Sequence, residues 1–171
     1  MRPVATTVVL RDAGVADSVT IAHLHRRTAL HAYAHIFPPG APEPTLEGLV
    51  ADWEERLRSG DGRQRCFVAE YDGIVVGVIG AGPDPLDPLV GHLSGLYVDL
   101  SRWGCGIGSS LYERAVEHLR SRSFSAATLW VLEGNVRARG WYERRGWTAT
   151  DDRLVVYAPA CIEDVVYRLG L

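Results

Sequence analysis

The sequence has no apolar run approaching the ~20 residues needed to cross a membrane, and no block of charge of one sign. Its opening, MRPVATTVVLRDAG, lacks the long apolar region of a secretory signal. It also lacks a paired set of cysteines. Cys66, Cys105 and Cys161 are odd in number, far apart and without metal-ligand spacing, so reduced thiols, no metal site and a cytoplasmic location are expected. Net positive charge is missing too. The formal charge is −3, and the basic residues gather no further than pairs such as Arg26-Arg27 and Arg144-Arg145, which argues against a nucleic-acid or anionic-membrane partner. Internal repeats and low-complexity tracts are absent. What remains is 171 residues, 47% apolar and 23% charged, the composition of a soluble globule forming one domain over residues 1–171.

Periodicity orders the elements. Thr7–Arg11 is β-branched and reads as a strand, and Asp17 reads as the cap of a helix running to about Ala34, with Ile21, Leu24 and Thr28 at helical spacing. The run from His35 to Gly40 breaks that helix at Pro38-Pro39. Leu46, Leu49, Val50, Trp53 and Leu57 form the stripe of a second helix, ended by Ser59-Gly60-Asp61-Gly62. Cys66–Tyr71 and Ile74–Ala81, joined by Asp72-Gly73, have the pattern of a two-residue hairpin. A loop follows from Gly82 to Pro88, then a strand over His92–Leu100. Gly104–Gly108 opens a helix striped by Ile107, Leu111, Ala115, Val116 and Leu119, and Ala126–Leu132 is a wholly apolar strand suited to a parallel neighbour. Asn135–Arg145 reads as a helix capped by Asn135 and stopped by Gly146, before strands around Trp147–Val156 and Ile162–Leu169. This order predicts an α/β (mixed α+β) fold, a mixed sheet with helices on both faces.

The sharpest chemical signal is Leu96-Tyr97-Val98-Asp99-Leu100-Ser101-Arg102-Trp103-Gly104-Cys105-Gly106-Ile107-Gly108-Ser109. A strand runs into three glycines at alternate positions and then directly into an amphipathic helix. Glycines let backbone approach a ligand, and the unpaired N–H groups of the first helical turn, aided by the macrodipole, bind anions such as a diphosphate. A Walker loop requires Gly-Lys-Ser/Thr, but Ser109 follows Gly108; the dinucleotide fingerprint fails because neither Ser109 nor Leu111 is glycine. A second passage runs from the strand Leu129–Leu132 through Glu133-Gly134-Asn135-Val136-Arg137-Ala138-Arg139-Gly140-Trp141-Tyr142-Glu143 to Gly146-Trp147. Ala138 and Tyr142 stand four apart on one helix face, the small residue leaving room beside the phenol.

These two passages resemble the GNAT superfamily of N-acetyltransferases. The first matches its coenzyme A loop, Gln/Arg-x-x-Gly-x-Gly/Ala, at Trp103–Gly108, with Trp103 departing from the usual Gln or Arg; the second matches Asn-x-x-Ala-x-x-x-Tyr-Glu-x-x-Gly-aromatic. The likeness runs from about residue 66 to 147, and more loosely through Arg11-Asp12 to Pro38. It implies a mostly antiparallel sheet of about seven strands and acetyl-CoA as co-substrate. It places the diphosphate on Gly104, Cys105, Gly106, Ile107, Gly108 and Ser109, and pairs the pantetheine with the backbone of Leu96, Tyr97 and Val98 and with Asn135 beside Ala138. It sets Tyr142 at the thioester sulfur, where a phenol protonates the departing thiolate.

The attacking amine must be neutral, which calls for a base or a desolvating pocket. His92 is the first candidate, since His92-Leu93-Ser94 resembles the His-x-His strand of arylalkylamine N-acetyltransferases; Glu70 and Glu133 are the alternatives. Tyr33 and Phe37, in the segment that walls the family's acceptor site, predict a small amine with an apolar or aromatic part. Two other readings stay open, acetylation of a peptide or protein amine and a non-catalytic acetyl-CoA-binding module, as does a homodimer.

Overall fold

The computed structural model describes residues 8–58 and 62–171. Thr7 of the first expected strand and Ser59, Gly60 and Asp61 of the expected helix stop lie outside the described residues. In chain order the elements are β1 (Val8–Asp12), α1 (Ser18–Ala32), α2 (Leu46–Arg58), β2 (Arg65–Tyr71), β3 (Ile74–Pro83), β4 (Gly91–Val98), α3 (Ile107–Ser121), β5 (Ala126–Leu132), α4 (Val136–Glu143), β6 (Thr148–Tyr157) and β7 (Ile162–Gly170). The order expected from the sequence is thus the order observed. The strands form one seven-stranded sheet, β1-β2-β3-β4-β5-β7-β6, in which every pairing is antiparallel except β4 with β5.

Alternation along β2 shows why the central strands read as continuous apolar runs. Cys66 and Val68 face α1 and α2, where Ile21, Leu24, Leu49 and Trp53 cover them, while Phe67 and Ala69 join Ile107, Leu111, Ala115 and Leu119 of α3 on the other face. With both faces buried, neither can be polar. The β2–β3 hairpin turns on Asp72 and Gly73 with φ of 52° and 74°, both in the left-handed region that a twisted two-residue hairpin demands.

Two local expectations are revised. Asp17 does precede α1, but its carboxylate does not cap it; it accepts from the Gly14 amide at 2.8 Å and pairs with Arg11 at 2.7 Å. A charged bidentate partner outcompetes the helix amides. The third meander strand ends at Val98 rather than Leu100, because Asp99 accepts from the Ser101 amide and starts a single 3-10 turn over Leu100–Arg102.

The feature that creates the site is a broken pairing. β4 and β5 pair only over Gly91–Leu93 and Ala127–Leu129. Beyond those residues β4 carries a bulge, where the register with β3 slips between Val78 and Gly80 and Gly95 takes φ of 60°. Bulges bend a strand and end its pairing. The last residues of both strands therefore have no ladder between them.

Candidate active site

Two cavities open on this parting, one of about 790 Å³ and one of about 710 Å³. Tyr33, Leu96, Tyr97, Asn135, Ala138 and Tyr142 line both, so the cavities meet where β4 leaves β5. Nine residues separate Tyr142 from the end of β5 in sequence, yet α4 folds its buried ring back to that junction. The ring packs edge-on to Trp141 and Trp147, with centroids at 5.0 and 6.2 Å.

The smaller cavity ends on the glycine loop. Gly104, Gly106, Gly108 and Ser109 line it, and a Cβ built on Gly104 or Gly106 would stand in open space with nothing within 4 Å. Both glycines have φ above +80° or at it, so a side chain there is strained and would also fill the cradle. Three expectations for this loop are refined. Cys105 is exposed and lines neither cavity. Ile107 sends its side chain into the core, only 3% exposed, so it offers backbone alone. Ser109 accepts from Arg145 at 2.9 Å through its hydroxyl.

Trp103, at the position where Gln or Arg was anticipated, spends its indole N–H on the Val98 carbonyl at 2.8 Å. The guanidinium of Arg137 lies 3.8 Å from the centre of its ring, and Arg102, Arg137 and Arg144 all line the cavity. All 18 basic residues of the chain are arginine, and a net charge of −3 thus coexists with a locally cationic cleft.

The larger cavity gathers Tyr33, Phe37, Trp130, His92 and Asp164. Phe37 packs at 6.3 Å from Tyr157, which steadies the loop after α1 against β6. His92 is buried, and its ring lies 4.7 Å from that of Trp130. Burial pushes its pKa down to about 4, Arg56 adding to the effect and Asp84 opposing it, so the imidazole is neutral at pH 7. Burial raises the phenols of Tyr33, Tyr97 and Tyr142, which keeps all three protonated. Asp164, across the cavity on β7 opposite Leu132, is raised by burial to about 6 and so carries its charge at neutral pH.

Asn135 is the helix cap its position suggested, and it stands at the cavities. Its Oδ1 caps α4 by accepting from the Ala138 amide at 3.2 Å, and the residue lines both cavities. The alternative bases are not brought to the site. Glu70 is paired with Arg11 at 2.6 Å, Glu133 is exposed, and neither lines a cavity. Sequence reasoning missed Asp164 and Asp84. Asp164 is an acidic residue within the otherwise largely apolar Ile162–Tyr167, a weak signal; Asp84 sits in Gly-Pro-Asp-Pro, a turn signature that gives no hint of burial.

Residues 28–147 match the Acetyltransferase (GNAT) family. The chain belongs to that family. A probable N-acetyltransferase of Mycobacterium tuberculosis is 28% identical over 178 residues, 99% of this chain and 96% of that protein. A mycothiol acetyltransferase of Thermobispora bispora is 32% identical over 124 residues, which are 70% of this chain but only 41% of its own length. Among solved structures, the PaiA N-acetyltransferase of Thermoplasma acidophilum in complex with coenzyme A superposes with a TM-score of 0.78 at 16% identity, over 96% of this chain and 99% of that one. The GNAT fold and acyltransferase class are thereby fixed. The open glycine cradle at a helix N-terminus, the three arginines and the unpaired strand ends of β4 and β5 fit the charge and hydrogen-bonding groups of a diphosphate and a pantetheine. Among the described residues no group of three His, Cys, Asp or Glu side chains is placed to hold a metal ion, and no helix is long and apolar enough to cross a membrane.

Proposed function

We propose that the protein transfers the acetyl group of acetyl-CoA to the primary amine of a small molecule, by direct attack in a ternary complex. The observation that carries this reading is the meeting of two cavities at Tyr142, which gives donor and acceptor separate entrances to one point. Acetyl-CoA, when bound, supplies the acyl group as a thioester. Gly104–Ser109 and the arginines hold the phosphates, and the parted edge of Leu96–Val98 receives the pantetheine amides, with Asn135 and Ala138 on the other side. His92 takes the proton that the amine nitrogen sheds as its bond to the carbonyl carbon forms, through a water where the amine stands beyond direct reach. As the C–S bond breaks, the Tyr142 hydroxyl delivers its proton to the sulfur.

A small acceptor is favoured by the larger cavity, whose ~790 Å³ lies within the usual range for small-molecule sites. Its walls pair aromatic rings with the carboxylate of Asp164, a combination that receives an amine on a flat apolar body; an amine that arrives as a cation gives its first proton to solvent before it attacks. The carboxylate comes from β7, not from the segment after α1. We expect arylalkylamines to outperform spermidine and a histone-like peptide in a thiol-release assay. Tyr33→Ala or Phe37→Ala should raise KM for the preferred amine about tenfold, the scale of a lost ring contact. A preference for the peptide, insensitive to both substitutions, would transfer the assignment to a protein amine. No thiol release with any amine, despite acetyl-CoA binding, would leave a non-catalytic module.

Arg137 replaces what Trp103 cannot supply. A guanidinium stacked on an indole keeps its N–H fork for a phosphate, so Arg137→Ala should weaken acetyl-CoA binding by about tenfold while leaving the melting temperature of the free protein unchanged. Calorimetry decides the point. Unchanged affinity would leave the phosphates to the loop amides alone. Gly106→Val is the poorer test, because φ of +84° strains any side chain there whether or not a ligand binds.

A further inference from the structure

Behind His92 lies a buried polar chain that the acetyl-transfer reading does not by itself require. Thr128 of β5 sits directly opposite His92 of β4 in the short stretch where those strands still pair. Its Oγ1 is 2.9 Å from His92 Nδ1 and in hydrogen-bond contact with Asp84 Oδ2. Asp84, His92 and Thr128 are 5, 7 and 8% exposed, so water does not compete for these bonds.

Proton counting fixes the direction of the chain. Burial pushes the Asp84 carboxyl up, but hydrogen bonds from Thr128, Leu86 and Asp87 outweigh it and leave the group below its ordinary value, ionised and able only to accept. Thr128 has one hydroxyl hydrogen, and it goes to Asp84. The oxygen then faces His92 with a lone pair, so Nδ1 must carry hydrogen and Nε2 must be bare. The two oxygens of Asp84 divide their work. Oδ1 accepts the amides of Leu86 at 2.7 Å and Asp87 at 3.1 Å and holds the β3–β4 loop, while Oδ2 is left for Thr128. Folding alone does not ask for the hydroxyl, since valine has the same shape and suits a buried strand better.

We propose that Thr128 and Asp84 are positioning residues that hold His92 as the Nδ1–H tautomer, turn its Nε2 lone pair to the acceptor cavity, and stabilise the imidazolium formed when His92 takes the amine proton. The role in turnover rests on the reading of His92 as base; the tautomer does not. The other charged or titratable groups that line the imidazole's cavity are His25, Tyr33, Glu43, Arg56, Tyr97, Tyr142 and Asp164.

Long-range proton–nitrogen correlation on histidine-labelled protein reads the tautomer directly, without coenzyme or turnover. The wild type should show a protonated Nδ1 and an unprotonated Nε2 at pH 7. Thr128→Val should shift His92 towards a mixture of tautomers, lower kcat by about 10-fold or more with KM little changed, and lower the apparent pKa of His92; Thr128→Ser, which restores the hydroxyl, should recover all three. Asp84→Asn is the harsher variant because it also loosens the loop, and a melting curve with Thr128→Val as the folded comparison separates the two effects. An Nε2–H tautomer in the wild type overturns the proposal outright. So does a Thr128→Val protein with wild-type kcat while His92→Gln has lost its activity. If His92→Gln retains activity, the base reading falls and with it the role of the chain in turnover, whereas the tautomer spectrum still decides the positioning.

Discussion

Tyr142→Phe is expected to lower kcat by ~10²-fold or more while acetyl-CoA affinity stays close to that of the wild type. The substitution deletes one oxygen from a ring that is otherwise held by Trp141 and Trp147, so the packing of α4 against the core survives and the melting temperature should not move. A departing thiolate in a desolvated cleft is a strong base, and the proposed donor, Tyr142, is one of three phenols, with Tyr33 and Tyr97, that line both cavities. Burial raises the pKa of Tyr142, with Tyr33 and Tyr112 adding to the effect and Arg145 opposing it. The sign has a consequence for assays: a raised value keeps the phenol protonated beyond its ordinary pKa of 10, so its ionisation contributes no basic limb to the pH–rate profile below that point. Single-turnover measurements separate the chemical step from product release. A loss confined to KM, with kcat intact, would show that the hydroxyl binds and does not protonate.

Much of this geometry is local chemistry and could be read from the chain. The Asp72-Gly73 turn, the stripes of α2 and α3, and the strand-glycine-helix passage at Val98–Ser109 each state their structure within a dozen residues, and each is observed. What the sequence hides is whatever depends on side-chain pairing or on contacts between segments, neither of which has a periodic signal. The bulge at Gly95 gives no periodic signal, yet it opens the gap between β4 and β5. Asp17 looks like a helix cap until Arg11, six residues earlier, claims both of its oxygens. Trp103 looks like a lost contact until Arg137, from the far side of β5, lies on its ring. His92 is legible as a candidate base, but its low pKa comes from burial, and its partners Thr128 and Asp84 are ones only the sheet brings to it. Motifs mark the glycine loop and its cavity; the larger cavity is assembled mainly from α1 and the segment after it, β4, β5 and β7, and no one of these declares it.

His92→Gln should lower kcat by ~10²-fold and abolish the part of the acidic limb of the pH–rate profile that lies near pH 4. An imidazole held at about 4 is a weak base for a free alkylammonium, whose pKa lies near that of lysine, ~10.4. The match improves along the reaction: as the nitrogen bonds to the carbonyl carbon it becomes cationic and far more acidic, and transfer to Nε2 turns favourable at that stage. The base is therefore competent wherever it is neutral, so a loss of rate well above pH 4 reports the protonation of the amine, which must be neutral to attack, and only a limb near pH 4 reports His92. Stability sets the competing limit. His92 and His25 both sit at about 4 in the folded protein against 6.5 in an unfolded chain, so the unfolded state binds more protons between those values. Their contribution is complete above pH 6.5 and is lost as pH falls towards 4, at ~1.4 kcal/mol for each unit by which the two values differ. Rates must accordingly be read alongside a melting curve at every pH, and the His92→Gln protein should also lose part of this acid lability because one of the two buried imidazoles is gone. A limb near pH 4 that persists unchanged in a folded His92→Gln protein would remove His92 as the proton acceptor, and a limb near pH 6 lost in Asp164→Asn would move that role to Asp164, raised by burial to about 6 in the same cavity.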